Sequence, residues 1–368
     1  MPPPWMRPAT SGRRSPAMQR VYLRRRIVAA LVVLVPILLI IFLLTSGGGG
    51  GKKKPQASAS TTTTAPHTTT TVALQLVASV ATWHLPVDLS RSVVLPVNTD
   101  LGVFGGLTTS GTSGKIYEID PGTGTTTAVA TMPVPVRDAG GAVIGSTYYV
   151  FGGATTAATE TAAVQGFSFT SSTQMNGSVV SNLTAKRSAE GAATVSGQVY
   201  LVGGYDGTAY VSSVVSTSDG MNFAPSGTLS PAVRYPAVAA LNGMVYVIGG
   251  EVSPHAADST VVQQINLTTS TVTDLSPLAV GLSHAVAVTL NNNIYVLGGR
   301  SGGHAIATIS LLNPTTGQLQ PVGQLPSARS DMGVAVIGQT AYLIGGEGDG
   351  GKPVDTVVTV RLVPAGTA

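Results

Sequence analysis

Hydrophobic positions in this chain come in short runs that stop at a glycine pair. GVF, YVF, YLV, YVI, YVL and YLI precede Gly105-Gly106, Gly152-Gly153, Gly203-Gly204, Gly249-Gly250, Gly298-Gly299 and Gly345-Gly346. The first glycines are 47, 51, 46, 49 and 47 residues apart. Runs this short, rich in Val, Ile, Leu and Tyr, predict strands rather than helices. Upstream of the pairs lie further apolar runs at 192–195, 238–241 and 286–290, joined to them by Ser196-Gly197, Asn242-Gly243 and Asn291–293. Such turn residues accept the positive φ angles that two-residue hairpins need. A third strand is predicted after each pair, at 115–120, 164–170, 211–217, 261–267, 306–312 and 354–362. A fourth is predicted to end at Met132, Leu183, Leu229, Leu278 and Leu325. Four antiparallel strands repeated every 45–50 residues or so predict the blades of a β-propeller.

The sixth unit runs out after its third strand. Residues 74–85 are predicted to supply the missing fourth, because Leu85-Pro86 matches Met132-Pro133 and Leu325-Pro326. Ring closure of this kind removes exposed sheet edges.

Tyrosine stands three residues before the first glycine at Tyr149, Tyr200, Tyr246, Tyr295 and Tyr342, and an arginine opens most units. With these features, residues 74–368 resemble the kelch-repeat family, although its fourth-strand tryptophan is missing from most units and Phe223 takes its place in one. The resemblance implies an all-β, six-bladed kelch-type propeller. The stretch from Thr217 to Phe223 also resembles the Asp-box turn of sialidase-type propellers, in which the aspartate, here Asp219, caps a hairpin.

Residues 27–44, from Ile27 to Leu44, read IVAALVVLVPILLIIFLL. As a helix this stretch would be ~27 Å long, near the thickness of a bilayer core. Seven arginines precede it and three lysines follow, so the positive-inside bias predicts a cytoplasmic N-terminus. The expected organisation is a basic cytoplasmic tail (1–26), a single transmembrane signal anchor (27–45), a disordered Gly/Lys then Ser/Thr/Pro stalk (46–71) and an extracytoplasmic propeller (72–368). A cleaved secretory signal is the other reading of the apolar stretch, and it too exports the C-terminal part.

Charge separates sharply along the chain. Residues 1–54 hold ten basic residues and no acid, leaving ten basic residues against all sixteen acids beyond, a formal charge of −6. An acidic propeller argues against a nucleic-acid partner. The absence of cysteine excludes disulfides, thiolate metal sites and a copper-radical oxidase site built on a Cys–Tyr link.

Candidate chemistry lies in the loops. Arginines opening the units are Arg91, Arg137, Arg187, Arg234 and Arg329, with Ser283 and His284 at the fifth. Loops after the glycine pairs add Tyr205, Asp206, Glu251, His255, Asp258, Arg300, His304, Glu347 and Asp349. Converging guanidiniums would suit carboxylates or phosphates. An arginine here is also part of the kelch pattern itself and can serve structure by bonding loop carbonyls, with Asp138 and Asp331 as neutralising neighbours. No nucleophile elbow, phosphate loop, dinucleotide fingerprint or His-Glu-x-x-His occurs, so no catalytic residue, metal site or cofactor is assigned. The ligand-contact candidates are Arg137, Arg187, Arg234, Arg329, His284, Tyr205, Glu251, Arg300 and Glu347. The expected function is a membrane-anchored extracytoplasmic module that binds a protein or glycan. The alternatives are an exported sugar-acid-processing enzyme and a structural platform of the cell envelope.

Overall fold

The computed structural model describes residues 74–156, 159–254 and 257–365. The apolar stretch from Ile27 to Leu44, the stalk and His255 lie outside the described residues. Among the described residues no helix is long and apolar enough to cross a membrane.

Six four-stranded antiparallel sheets follow one another as blades. Blade 1 is Val93–Val97, Asp100–Phe104, Lys115–Ile119 and Thr126–Thr131, and the same plan repeats around the ring. In blade 6, Gly333–Ile337, Thr340–Ile344 and Val354–Pro364 are completed by Leu74–Leu89, which pairs antiparallel with Val354–Pro364 from Leu74 opposite Pro364 to Leu89 opposite Val354. On this closing strand Trp83 reaches blade 1, its Nε1 donating to the Pro121 carbonyl at 3.2 Å.

The buried apolar residues fall into six clusters, each lying between two neighbouring blades. Phe104, Ile116 and Val129 of blade 1 meet Tyr148, Val150 and Phe167 of blade 2; Leu85, Leu89 and Val357 of blade 6 meet Val94, Val103 and Ile119 of blade 1. A blade therefore buries both faces only when it has two neighbours, so closing the ring completes the last core. Tyrosines before the glycine pairs belong to these cores. Tyr149 stacks on Phe151, and its hydroxyl donates to the Asp219 carbonyl of blade 3 at 3.0 Å. Asp219 itself caps its turn, its Oδ1 accepting the backbone N–H groups of Met221 and Asn222 at 2.8 Å. Phe223 packs edge-on against Phe151 across the same interface.

The glycine pairs are where the backbone of one blade meets the backbone of the next. Both members take positive φ in every pair. In all six, the second glycine donates its N–H to a carbonyl of the segment that leads into the following blade, as Gly250 does to Leu282 at 2.8 Å and Gly346 to Leu89 at the end of the closing strand, and accepts from its own returning loop, as from Ser259. A side chain on the first glycine would collide with that same carbonyl. Third strands of blades 3 and 5 start at Ser213 and Thr308, two residues later than their apolar runs suggest. Val211 and Ile306 there bond back to Gly204 and Gly299, closing the loop rather than extending the ladder.

Candidate functional site

Fourteen residues before the first glycine of each pair stands a residue with φ between 52° and 56°: Arg91, Asp138, Ala189, Tyr235, His284 and Asp331. Their backbones form a closed ring of hydrogen bonds. Each N–H donates to the carbonyl of its counterpart one blade earlier, and Arg91 donates to Asp331 to complete the circle, over 2.7–3.1 Å. All six are non-glycine residues in a left-handed conformation, held there because each supplies both a donor and an acceptor to the ring.

Five of the six side chains are polar, and they meet over the central axis. Arg91 of blade 1 reaches Tyr235 of blade 4, its Nη1 donating to the hydroxyl at 3.2 Å. Its Nε donates to Glu347 Oε1 at 2.7 Å, and Asp138 and Asp331 lie at 3.5 and 3.6 Å. His284 stacks on Tyr235, with centroids 3.9 Å apart, and bridges Asp331 (Nδ1, 2.6 Å) and Glu251 (Nε2, 3.2 Å). Arg300 joins Glu347 at 2.8 Å and donates to Ser330 Oγ at 3.1 Å. Arg234 binds Glu251 at 2.7 Å, while Arg137 Nη1 donates to Thr112 Oγ1 at 2.6 Å and its Nε lies 3.5 Å from Asp138.

Mutual pairing drives these groups away from neutrality. Burial opposes the imidazolium of His284, but Asp331 and Glu251 outweigh it and raise its pKa to about 9. Burial likewise works against the Glu251 and Asp331 carboxylates, yet contacts from His284 with Arg234 for the first, and with Arg91 for the second, hold both at about 2. Asp138 differs: burial is the larger effect despite Arg91, and its pKa is raised. Beneath the ring, the inner strands enclose a channel of about 710 Å³ with a mostly apolar wall that includes Val94, Val143, Val238 and Val334.

The unit-opening arginines occupy three separate stations. Arg91 is in the ring. Arg137 and Arg234 come one residue earlier, each bridged to the residue after a glycine pair, Ala154 and Glu251. Arg187 and Arg329 come two residues before the ring and turn into their own blades, 1% and 3% exposed. Arg187 donates to the Leu201 and Ser213 carbonyls, Arg329 to those of Gly345 and Thr356. The structure thus gathers Arg137, Arg234, His284, Tyr205, Glu251, Arg300 and Glu347 at the mouth and sets Arg187 and Arg329 apart as internal ties. Asp206 caps its own turn through Thr208 and Ala209. Asp258 is taken up by Ser283 and Gly303.

Two features escape sequence reasoning. One is the ring itself. The other is Glu190, a carboxyl next to Ala189 that burial pushes up to about 7 despite Arg187. Its Oε1 accepts from Gly140 N–H at 3.1 Å, and its Oε2 is buried without a partner. The signal lay in the repeat: the equivalent residues are Ser92, Ala139, Pro236, Ala285 and Met332, none of them charged.

Residues 281–322 match the family described as Kelch motif. A curated relative, Kelch-like protein 35 of Mus musculus, is 29% identical over 164 residues, covering 44% of this chain but only 28% of the relative. The solved structure described as "Structure of YjhT" superposes with a TM-score of 0.64 at 17% identity, over 76% of this chain and 98% of that one, a likeness of fold. The matched motif, the curated relative and six closed blades with their glycine pairs fit a kelch-repeat β-propeller.

Proposed function

We propose that this chain is a membrane-anchored, extracytoplasmic binding module whose partner-contacting surface is the loop face around the left-handed ring. The kelch propeller supports a protein-binding role. The observation that carries the reading is the mutual pairing of the mouth charges. Glu251, Asp331 and His284 titrate far from neutrality because they hold one another, whereas proton transfer is most effective from a group titrating near the working pH. A fixed lattice of charges is suited to recognition, where electrostatic complementarity sets specificity and register. Membrane anchoring rests on the apolar stretch from Ile27 to Leu44 and the arginines before it.

The absence of cysteine allows a direct test with single reporters. Ser110→Cys stands on the loop face beside the mouth, and Ser146→Cys lies in a turn at the opposite end of blade 2; both positions are exposed. With a photo-crosslinker attached, the full-length chain in its own membrane is expected to give adducts from Ser110→Cys only, and both cysteines should react with impermeant thiol reagents added from outside. Equal labelling from the two faces would refute the assignment of the surface. Protection of both from external reagent would refute the topology.

A further inference from the structure

Four blades use one long polar side chain to tie their strands to the segment that enters them. Blades 2 and 4 use a glutamine on the third strand. Gln165 bonds both the N–H and the carbonyl of Val134 at 2.9 Å. Gln263 accepts from Ser230 N–H at 2.8 Å and donates to the Pro231 carbonyl at 3.1 Å. Blades 3 and 6 use instead the arginine two residues before the ring. Arg329 Nη1 donates to the Gly345 and Thr356 carbonyls at 3.0 and 3.1 Å, and Nη2 to Ser327 Oγ at 3.2 Å and Thr356 Oγ1 at 2.8 Å. Arg187 bonds the Leu201 carbonyl and both the carbonyl and the hydroxyl of Ser213.

Blade 5 has neither tie. Leu282 stands at the arginine position and belongs to the apolar core between blades 4 and 5. Ser310, opposite Val296, stands where Gln165 faces Val150 and Gln263 faces Val247. These shorter side chains leave a pocket of about 410 Å³. Its wall includes Val280, Gly298 and Thr308, the counterparts of Ser327, Gly345 and Thr356 around Arg329, and Val296, the counterpart of Leu201 beside Arg187. The pocket thus occupies the slot that a guanidinium fills in blades 3 and 6. At its rim Val280 is 67% exposed, and Gly281 accepts from Ser301 of the loop after the glycine pair.

The lining favours a guanidinium over an amide. Thr308 carries a hydroxyl where the arginine-tied blades have Ser213 and Thr356; the glutamine-tied blades have Ala163 and Val261 there. The Thr356 carbonyl accepts both Gly345 N–H, at 3.2 Å, and Arg329, whereas the Thr308 carbonyl accepts Gly298 N–H at 3.0 Å and has room for a second donor. Burial alone shifts Arg329, lowering its pKa, so such a slot takes a guanidinium with carbonyls and hydroxyls and no acid. Leu278, Leu282, Ile306 and Leu319 add an apolar wall suited to the methylene stem of an arginine. The formal charge of −6 beyond residue 54 favours a cation on the partner.

We propose that the blade 5 pocket receives the guanidinium of an arginine on a segment of a protein partner, in the place that Arg187 and Arg329 fill from within the chain. This rests on the binding-module reading and names the chemistry of one anchor on the partner. Lysine is a poor substitute, because an ammonium lacks the planar fork that reaches several acceptors at once.

The test uses the full-length chain in detergent and three displayed peptide libraries with random flanks, whose central residue is Arg, Lys or Gln. The central-Arg library is expected to be enriched about tenfold or more over the other two. Leu282→Arg supplies the guanidinium from within and should abolish that preference, while Ser146→Arg, in an exposed turn at the other end of blade 2, adds the same charge and should keep it. A melting temperature for Leu282→Arg at or above that of the parent would show that the slot is filled rather than the blade broken. Should Leu282→Arg melt well below the parent, Thr308→Val decides: removing one acceptor should lower the Arg preference about fivefold or more, and an unchanged preference would overturn the slot. Equal enrichment of Arg and Lys, stronger enrichment of Gln, an Arg preference that survives a folded Leu282→Arg, or no enrichment at all would each overturn it too. The module reading stands or falls separately, on the Ser110→Cys adducts, which need no peptide.

Discussion

Replacing Gly249 by alanine tests whether the glycine pairs join blades or merely end strands. Gly249 has φ +64°, and a Cβ there would run into the carbonyl oxygen of Leu282 in the segment that leads into the next blade. The left-handed conformation costs an L-residue roughly 1–2 kcal/mol. Relieving the collision by moving the blade adds about 1–3 kcal/mol. Loosening the Gly250 N–H bond to that same carbonyl, 2.8 Å long, adds about 1 kcal/mol. The expected total is roughly 3–6 kcal/mol. Gly243, in the hairpin of the same blade, supplies the control: its φ is +75° and nothing lies within contact of an added Cβ. Gly243→Ala should therefore cost only the conformational share. At about 2 °C per kcal/mol for a domain of this size, the hairpin variant should melt roughly 2–4 °C below the parent and Gly249→Ala roughly 6–12 °C below it. Calorimetry at one scan rate measures both. Shifts agreeing to within about 2 °C would mean that backbone strain alone accounts for Gly249, and the inter-blade junction would lose its support.

Ring closure gives a second expectation: deleting residues 72–86 removes most of the strand opposite Val354–Pro364 and should lower the melting temperature far more than deleting 46–71, and equal losses would rule the closure out. Two buried groups should divide the pH dependence of stability between them. Glu190, raised from 4.5 to about 7, contributes stability that is complete below pH 4.5 and lost as pH rises to about 7, so Glu190→Gln should flatten that limb of a Tm-against-pH curve. His284, raised from 6.5 to about 9, contributes stability that is complete below pH 6.5 and lost as pH rises through about 9, so His284→Gln should flatten the higher limb; a single variant that removed both limbs would contradict the assignment.

Strand order and the number of blades were legible because both follow from repeated local signals, the apolar runs and the glycine pairs. The site was legible only in part, and the reason is register. Aligned by their arginines, the units place Arg91, Arg137, Arg187, Arg234 and Arg329 at one station. Counted back from the first glycine of each pair, the same residues fall at 14, 15 or 16 positions. That single-residue difference decides whether an arginine points over the axis, toward the loop after the pair, or into its own blade. Glycine is the better ruler because its position is set by a backbone-to-backbone contact that admits no side chain, whereas an arginine can reach its partners from several positions. The pairing of Arg91 with Tyr235 across the ring could not be read in this way, since it joins residues 144 apart.

The ring separates what the fold requires from what the mouth can vary. Its six hydrogen bonds use only backbone atoms, so any residue able to hold φ near 54° satisfies it, and Ala189 does so with no polar side chain at all. Glycine would adopt that conformation most cheaply, sparing about 1 kcal/mol or more at each station. Arginine, aspartate, tyrosine and histidine stand there instead, and their side chains make the ion pairs and stacking contacts at the mouth. Since the ring closes without those side chains, their contribution to closure cannot explain why a strained backbone carries them. Strain that the scaffold does not need is characteristic of positions retained for what they present. By the same reasoning, Arg187 and Arg329, which are buried and committed to carbonyls of their own blades, belong to the scaffold. Arg234, with its Nη edge uncommitted among the described residues and partly exposed, belongs to what is presented.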